Sequence, residues 1–192
     1  MAFCKRCPGG AEVELTMLFA DLRGSTAMAE RMPAEVFAKT LNQFYTSATD
    51  VLIQTDAYID KLVADEVVGL YFPLFAGKTH ARRAVEAAGK LLLAAGYVNP
   101  SGPLFAVGIG VHKGTAFVGT VAGAEGTVTD IAALGHDVHI AARLSSTAEA
   151  GEALISESTC LASGLDLDHL DRREVALKGR TDPLAVRVMR IG

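Results

Sequence analysis

Two aspartates could do chemistry together in this sequence. Asp21 ends an apolar run inside TMLFADLRGST (residues 16–26), and a short turn of Leu22, Arg23, Gly24 and Ser25 follows before a helical pattern opens. Asp65 lies in DKLVADEVVGLYF, between two strand-like runs. A buried strand that delivers a carboxylate to its exposed end, followed by free backbone N–H groups at a helix start, suits a metal ion and a phosphate chain together. Two carboxylates at close range repel one another unless something positive lies between them. Mg²⁺ or Mn²⁺ would be an economical occupant, because both prefer oxygen ligands and accept phosphate oxygens as the rest of their shell. The plainer alternative is that Asp21 caps a turn and Asp65 is a solvated hairpin residue.

Whether the two carboxylates meet depends on the elements that carry them. Residues 13–20 read as a first strand, apolar enough at its end to be buried on both faces. The helix after it is broken at Pro33 and resumes from Ala34, with Val36, Leu41, Phe44, Tyr45, Val51 and Leu52 forming an apolar stripe. Residues 57–63 and 66–74 read as a hairpin with Asp65 at its tip. Residues 79–95 form a second amphipathic helix, stopped by Gly96. Residues 104–111 and 116–121 read as two strands joined by a polar turn at Lys113 and Gly114. A glycine-rich stretch at 123–126 leads into residues 127–131, then a helix over 135–150, a short strand at Leu154 and Ile155, a short helix over 156–163 and a terminal hairpin of 174–177 with 184–191.

This order predicts an α+β fold, a ferredoxin-like βαββαβ layer with appended strands and helices. In such a layer a right-handed crossover makes the first two strands parallel, with the third antiparallel between them. The end of the first strand and the tip of the hairpin then fall on the same edge of the sheet, bringing Asp21 and Asp65 within reach of each other.

Composition bounds the remaining possibilities. The 192 residues are 50% apolar and 21% charged, which suits one globular domain over 13–192 behind a short extension at 1–12. A net charge of -4 gives no electrostatic case for nucleic acid or an anionic membrane. No apolar run approaches the roughly 20 residues of a membrane span and no signal core opens the chain, so a cytoplasmic location is expected. Cys4 and Cys7 form a CxxC, half of a zinc site, to be read as two reduced thiols or as a zinc shared between chains or completed by residues outside this sequence. Three cysteines argue against a disulfide framework.

Six motifs occur in one order: LFADLRGST, DKLVADEVVGLYF, VGIGVHKGTAFVGTV, ALGHDVHIAARL, LISESTC and LKGRTDPLAVRV. Together they resemble the class III nucleotidyl cyclase catalytic domain. The resemblance implies a head-to-tail dimer that makes 3′,5′-cyclic nucleotides from nucleoside triphosphates. Asp21 and Asp65 match the metal-binding aspartates, with Leu22 beside them in the metal set, for two Mg²⁺ or Mn²⁺ ions per site. Backbone N–H groups of Leu22, Arg23, Gly24, Ser25 and Thr26 would cradle phosphate. Arg143 matches the arginine that neutralises charge on the transferring phosphoryl group, a task suited to a planar, permanently charged fork. Lys178 matches a lysine on the terminal phosphates. Lys61 matches the position that reads the base, and lysine there resembles the adenylyl cyclases, so ATP is the expected substrate. Asp21 and Asp65 would come from one chain of a homodimer, and Lys61, His139, Arg143 and Lys178 from the other.

The chain departs from the family pattern at three positions. His139 stands where Asn usually orients the ribose and supports the transition state; an imidazole can still donate one hydrogen bond, with a different reach. Ala132 stands where Thr or Asp usually helps to read the base, and Asp130, two residues earlier in an extended segment, could partly substitute. Ala64 replaces the usual hairpin Gly. His136 and His139 could be read as metal ligands or as polar surface at a helix start. The departures keep two other readings open: a catalytically silent cyclase-homology module that binds nucleotide or dimerises to regulate a partner, and a cyclase with a different base preference, pyrimidines included.

Overall fold

The apolar run ahead of Asp21 is the middle of a long strand, β1 (Gly10–Leu22), in a computed structural model that describes residues 9–122 and 129–191. Every residue from Leu15 to Ala20 is buried, because both faces of this strand are covered. After β1 come α1 (Ser25–Arg31), α2 (Ala34–Gln54), β2 (Tyr58–Val63), β3 (Glu66–Tyr71), α3 (Pro73–Ala76), α4 (His80–Ala94), β4 (Val107–Ala122), β5 (Thr129–Leu134), α5 (His136–Thr147), β6 (Glu152–Ser156), α6 (Glu157–Ser163), β7 (Asp171–Val175) and β8 (Leu184–Met189). The strands form one sheet in the order β2-β3-β1-β4-β6-β8-β7, with β5 paired to β4 off this path. The first four strands are the expected ferredoxin-like layer: β1 is antiparallel to both β3 and β4, and β2 is antiparallel to β3.

Alternation along β1 assigns the faces. Leu18, Ala20 and Leu22 join the large core formed with Phe44, Leu52, Leu91 and Leu92 of α2 and α4. Leu15, Met17 and Phe19 point the other way, into a smaller core with Ala133 of β5 and Ala141 of α5. Asp21 follows Phe19 in this alternation and so belongs to the α5 face.

The expected turn at Lys113 and Gly114 is absent, and β4 runs unbroken through both residues. The ladder with β1 continues across them, pairing Thr16 with Lys113 and Leu15 with Gly114. Lys113 is held by an ion pair to Glu14 at 2.8 Å. Gly114 serves close approach, since a Cβ there would overlap the carboxylate of Asp137. The other elements fall near their expected positions. The CxxC of Cys4 and Cys7 and the glycine-rich stretch at 123–126 lie outside the described residues. Cys160 is half-buried in α6, and burial holds its thiol up at about 11, which makes it a packing residue. Among the described residues no helix is long and apolar enough to cross a membrane.

The far end of the sheet is fastened by a charge cluster. Glu152 of β6 is 1% exposed and accepts two bonds from Arg173 (2.9 and 2.8 Å) and two from Arg190 (3.2 and 2.6 Å), besides the backbone N–H of Glu149. These donors, the Arg173 bonds foremost, hold its carboxyl at about 2, below the ordinary carboxylate value. Because the folded-state value is depressed, this stability is present above about pH 4.5 and drains away as the pH falls toward about 2. Glu152→Gln is expected to cost about 2–3 kcal/mol at neutral pH, less than a fully buried pair because both arginines reach water. Denaturant titrations at several pH values check this: the variant should lose less stability than the parent between pH 5 and pH 2.

Candidate active site

β1 leaves Asp21 and Leu22 at its end, and the two-residue tip of the β2–β3 hairpin is tied directly to them. Leu22 N–H donates to the carbonyl of Asp65 at 2.9 Å. Asp21 lies opposite Glu66 in the β1–β3 ladder, so three acidic residues crowd one sheet edge. Burial raises the Asp21 carboxyl, Arg23 opposes that shift, and Asp65 adds to it. Glu66 is raised further, to about 7, by burial first and then by the charges of Asp21 and Asp65. The hydroxyl of Ser25 donates to Asp65 Oδ2, and the Arg23 guanidinium pairs with Asp21 Oδ1 at 3.2 Å. Tyr45 donates to the carbonyl of Ala64 at 2.6 Å and steadies the tip, where Ala64 adopts φ +54, a conformation that a glycine would take more easily.

This donor set suits a hard divalent cation. Two carboxylates from different elements supply oxygen, and the raised Glu66 marks a place where negative charge is in excess even with Arg23 present. Among the described residues no group of three ligating side chains forms, so water and phosphate oxygens would complete the shell, as is usual for Mg²⁺. The phosphate cradle is smaller than expected. Leu22 N–H is taken by Asp65, and Arg23 N–H donates to Ala106 O at 2.6 Å, so neither is open to phosphate. The amides that remain are those of Gly24, Ser25 and Thr26, where α1 begins behind Gly24 at φ +74.

The other expected residues lie on α5, on the β7–β8 loop, on β5 and on β2. The first turn of α5 is anchored to β4 by Asp137, which accepts the backbone N–H of Thr115 at 2.7 Å and lies 3.4 Å from His112 Nε2. His112 in turn contacts Ser156 Oγ at 2.8 Å. Two turns along the helix, Arg143 reaches the β7–β8 loop: a Cβ on Gly179 would sit 3.2 Å from Arg143 Nη1. Lys178, the neighbour of Gly179, is exposed, as are His136 and His139. Ala132 is buried in β5 opposite Gly119, and Asp130 is paired with Val121. Lys61 lies in β2 opposite Val68, just after a shift of register, with Nζ 3.4 Å from Asp60 Oδ2. The described ion pairs join neither Asp21 nor Asp65 to Arg143 or Lys178.

Three residues at the site were not singled out by sequence for their side chains. Arg23 lies in the turn just beyond β1, where strand alternation no longer assigns a side chain to a face. Glu66 follows from the hairpin register, which sets it against Asp21. His112 left no signal, because an apolar strand pattern does not say which histidine it buries.

Comparisons with known proteins agree on one family. The family description of the adenylate and guanylate cyclase catalytic domain matches residues 11–189. An adenylate cyclase of Anabaena cylindrica is 29% identical over 189 residues, which cover 90% of this chain and 36% of that protein. The chain thus spans little more than a third of the length of that relative. Among solved structures, the guanylyl cyclase Cya2 superposes with a TM-score of 0.84 at 29% identity, covering 96% of this chain and 95% of that one. The adenylyl cyclase CyaB from P. aeruginosa superposes with a TM-score of 0.80 at 26% identity, covering 96% and 97%.

Proposed function

The chain belongs to the adenylate and guanylate cyclase catalytic domain family, and from that membership we propose that it converts a nucleoside triphosphate, ATP in the first place, to the 3′,5′-cyclic nucleotide and pyrophosphate in the composite sites of a homodimer. The observation that carries the reading is the meeting of Asp21 and Asp65 at one sheet edge, beside an amide-bearing helix start. Within the site, Asp21, Asp65 and the Leu22 carbonyl would hold the divalent cations. Bound there, such ions supply a lowered pKa for the ribose 3′-hydroxyl and neutralise phosphate charge. Gly24, Ser25 and Thr26 orient the triphosphate through their amides. From the second chain, Arg143 stabilises charge gathering on the α-phosphoryl oxygens, and Lys178 holds the terminal phosphates. Lys61 faces the base, with Ala132 and Asp130 on the strand nearby.

Exposed apolar residues support the dimer. Tyr58, Val63, Ile131 and Leu134 are 38%, 54%, 48% and 50% exposed, all on β2 and β5, the strands that carry Lys61 and Ala132. Residues of this kind grouped on one surface mark an association site.

Purified protein incubated with ATP, GTP, CTP or UTP in Mn²⁺ and in Mg²⁺, with the products resolved by chromatography, tests the activity. Cyclic product from ATP is expected. Product preferentially from another triphosphate would move the base assignment alone. Metal-nucleotide binding without turnover would support the silent regulatory module, which the exposed His139 in place of Asn favours. His139→Asn is expected to raise kcat about ten- to a hundredfold with little change in KM, since one preorganised donor at the transition state is worth roughly 10²–10³ and the imidazole supplies part of it.

A further inference from the structure

One side chain joins the Asp21 end of β1 to α5, the helix that carries Arg143, within a single chain. Arg23 pairs with Asp21 at 3.2 Å, while its other terminal nitrogen donates to Ser145 O. Its Nη1 also lies 3.4 Å from Ser146 O. Both carbonyls belong to the last turn of α5. The Ser145 carbonyl also accepts the capping N–H of Ala148 at 3.2 Å, and the negative end of the helix dipole at this turn favours a cation. The fold makes room for this reach. Gly108 of β4 faces Asp21 in the ladder, and a Cβ there would overlap the Arg23 guanidinium. The Arg23 backbone is fixed by its bond to Ala106, so only the side chain is free to redistribute its bonds. Its Nε is buried with no hydrogen-bond partner among the described residues, which leaves the fork incompletely satisfied in this arrangement.

We propose that Arg23 is a positioning residue that links the cation-binding end of β1 to the C-terminal turn of α5. When divalent cation fills the Asp21–Asp65 pair, the positive charge at Asp21 weakens its attraction for the guanidinium, and Arg23 transfers its bonding to the Ser145 and Ser146 carbonyls. α5 is then held more tightly. The proposal rests on the reading of Asp21 and Asp65 as metal ligands. In a composite dimer, Asp21 and the α5 of the same chain serve opposite sites, so the link runs from one active site to the other.

Mn²⁺ alone is the probe, with no nucleotide. Its binding is followed by the electron paramagnetic resonance of free Mn²⁺, and amide hydrogen exchange is read over residues 143–148 with and without the ion. In the parent protein, saturating Mn²⁺ should slow exchange in that turn about threefold or more. Arg23→Met should bind Mn²⁺ roughly fivefold more tightly, having lost a competing charge, and show no Mn²⁺-dependent change in α5. Arg23→Lys, which keeps the charge and loses the fork, should bind Mn²⁺ as the parent does and respond weakly in α5. The parent measurement stands even where a variant fails to fold. Mn²⁺ binding that leaves α5 exchange unchanged in the parent would overturn the link and leave the metal reading intact. Absence of any Mn²⁺ site that Asp65→Asn removes would overturn both.

Discussion

Asp65→Asn is expected to lower kcat/KM for cyclic nucleotide formation by at least about a thousandfold, the equivalent of several kcal/mol of lost charge stabilisation on the transferring phosphoryl group. The loss should not come from unfolding. Asp65 stands among Asp21 and Glu66, with Arg23 the only cation among the described residues that acts on both, and its charge raises both neighbouring carboxyls. Removing that charge relieves repulsion in the metal-free protein, and the Asn side-chain carbonyl can still accept the Ser25 hydroxyl. The variant should therefore melt at or slightly above the parent temperature without divalent cation, and gain less stability than the parent when Mn²⁺ is added. An inactive variant with lower stability in both conditions would point to a structural role for Asp65 instead.

Arg143→Ala is expected to give the second large effect, a loss of roughly 10²–10³ in kcat with a smaller change in KM, because in the proposed site the guanidinium would act where charge grows in the transition state. Arg143 lies against Gly179 in the β7–β8 loop, and among the described residues it has no ion pair with a carboxylate. That separation makes a complementation test possible. Arg143→Ala and Asp65→Asn, each inactive alone, should recover activity when mixed and allowed to exchange subunits. Half of the dimers would then be mixed, each with one intact composite site, giving about a quarter of the parent activity. A mixture that remains as inactive as its components would exclude sites shared between chains.

Much of this arrangement was legible in local pattern. The apolar run into Asp21, the hairpin around Asp65 and the amphipathic helix between them needed only side-chain periodicity and turn chemistry, and the handedness of the crossover placed both aspartates on one edge. The break read at Lys113 and Gly114 shows where local signals end. A Lys-Gly pair reads as a turn when considered alone, yet Glu14 on the neighbouring strand pairs with the lysine and Asp137 fills the space the glycine leaves. Both reasons lie in other elements. The same holds for the phosphate cradle: the amides of Leu22 and Arg23 are claimed by Asp65 and Ala106, whose carbonyls arrive only when the hairpin and β4 fold against β1.

The sequence by itself determined the fold class, the carboxylate pair and its oxygen-rich chemistry, because these follow from the order and polarity of neighbouring residues. Only the tertiary structure decided what surrounds the pair. Glu66 joins it through strand register, and Arg23 bonds to a carbonyl 122 residues away at the end of α5. The energy of such contacts depends on burial and on distances across the fold, which no stretch of neighbouring residues encodes.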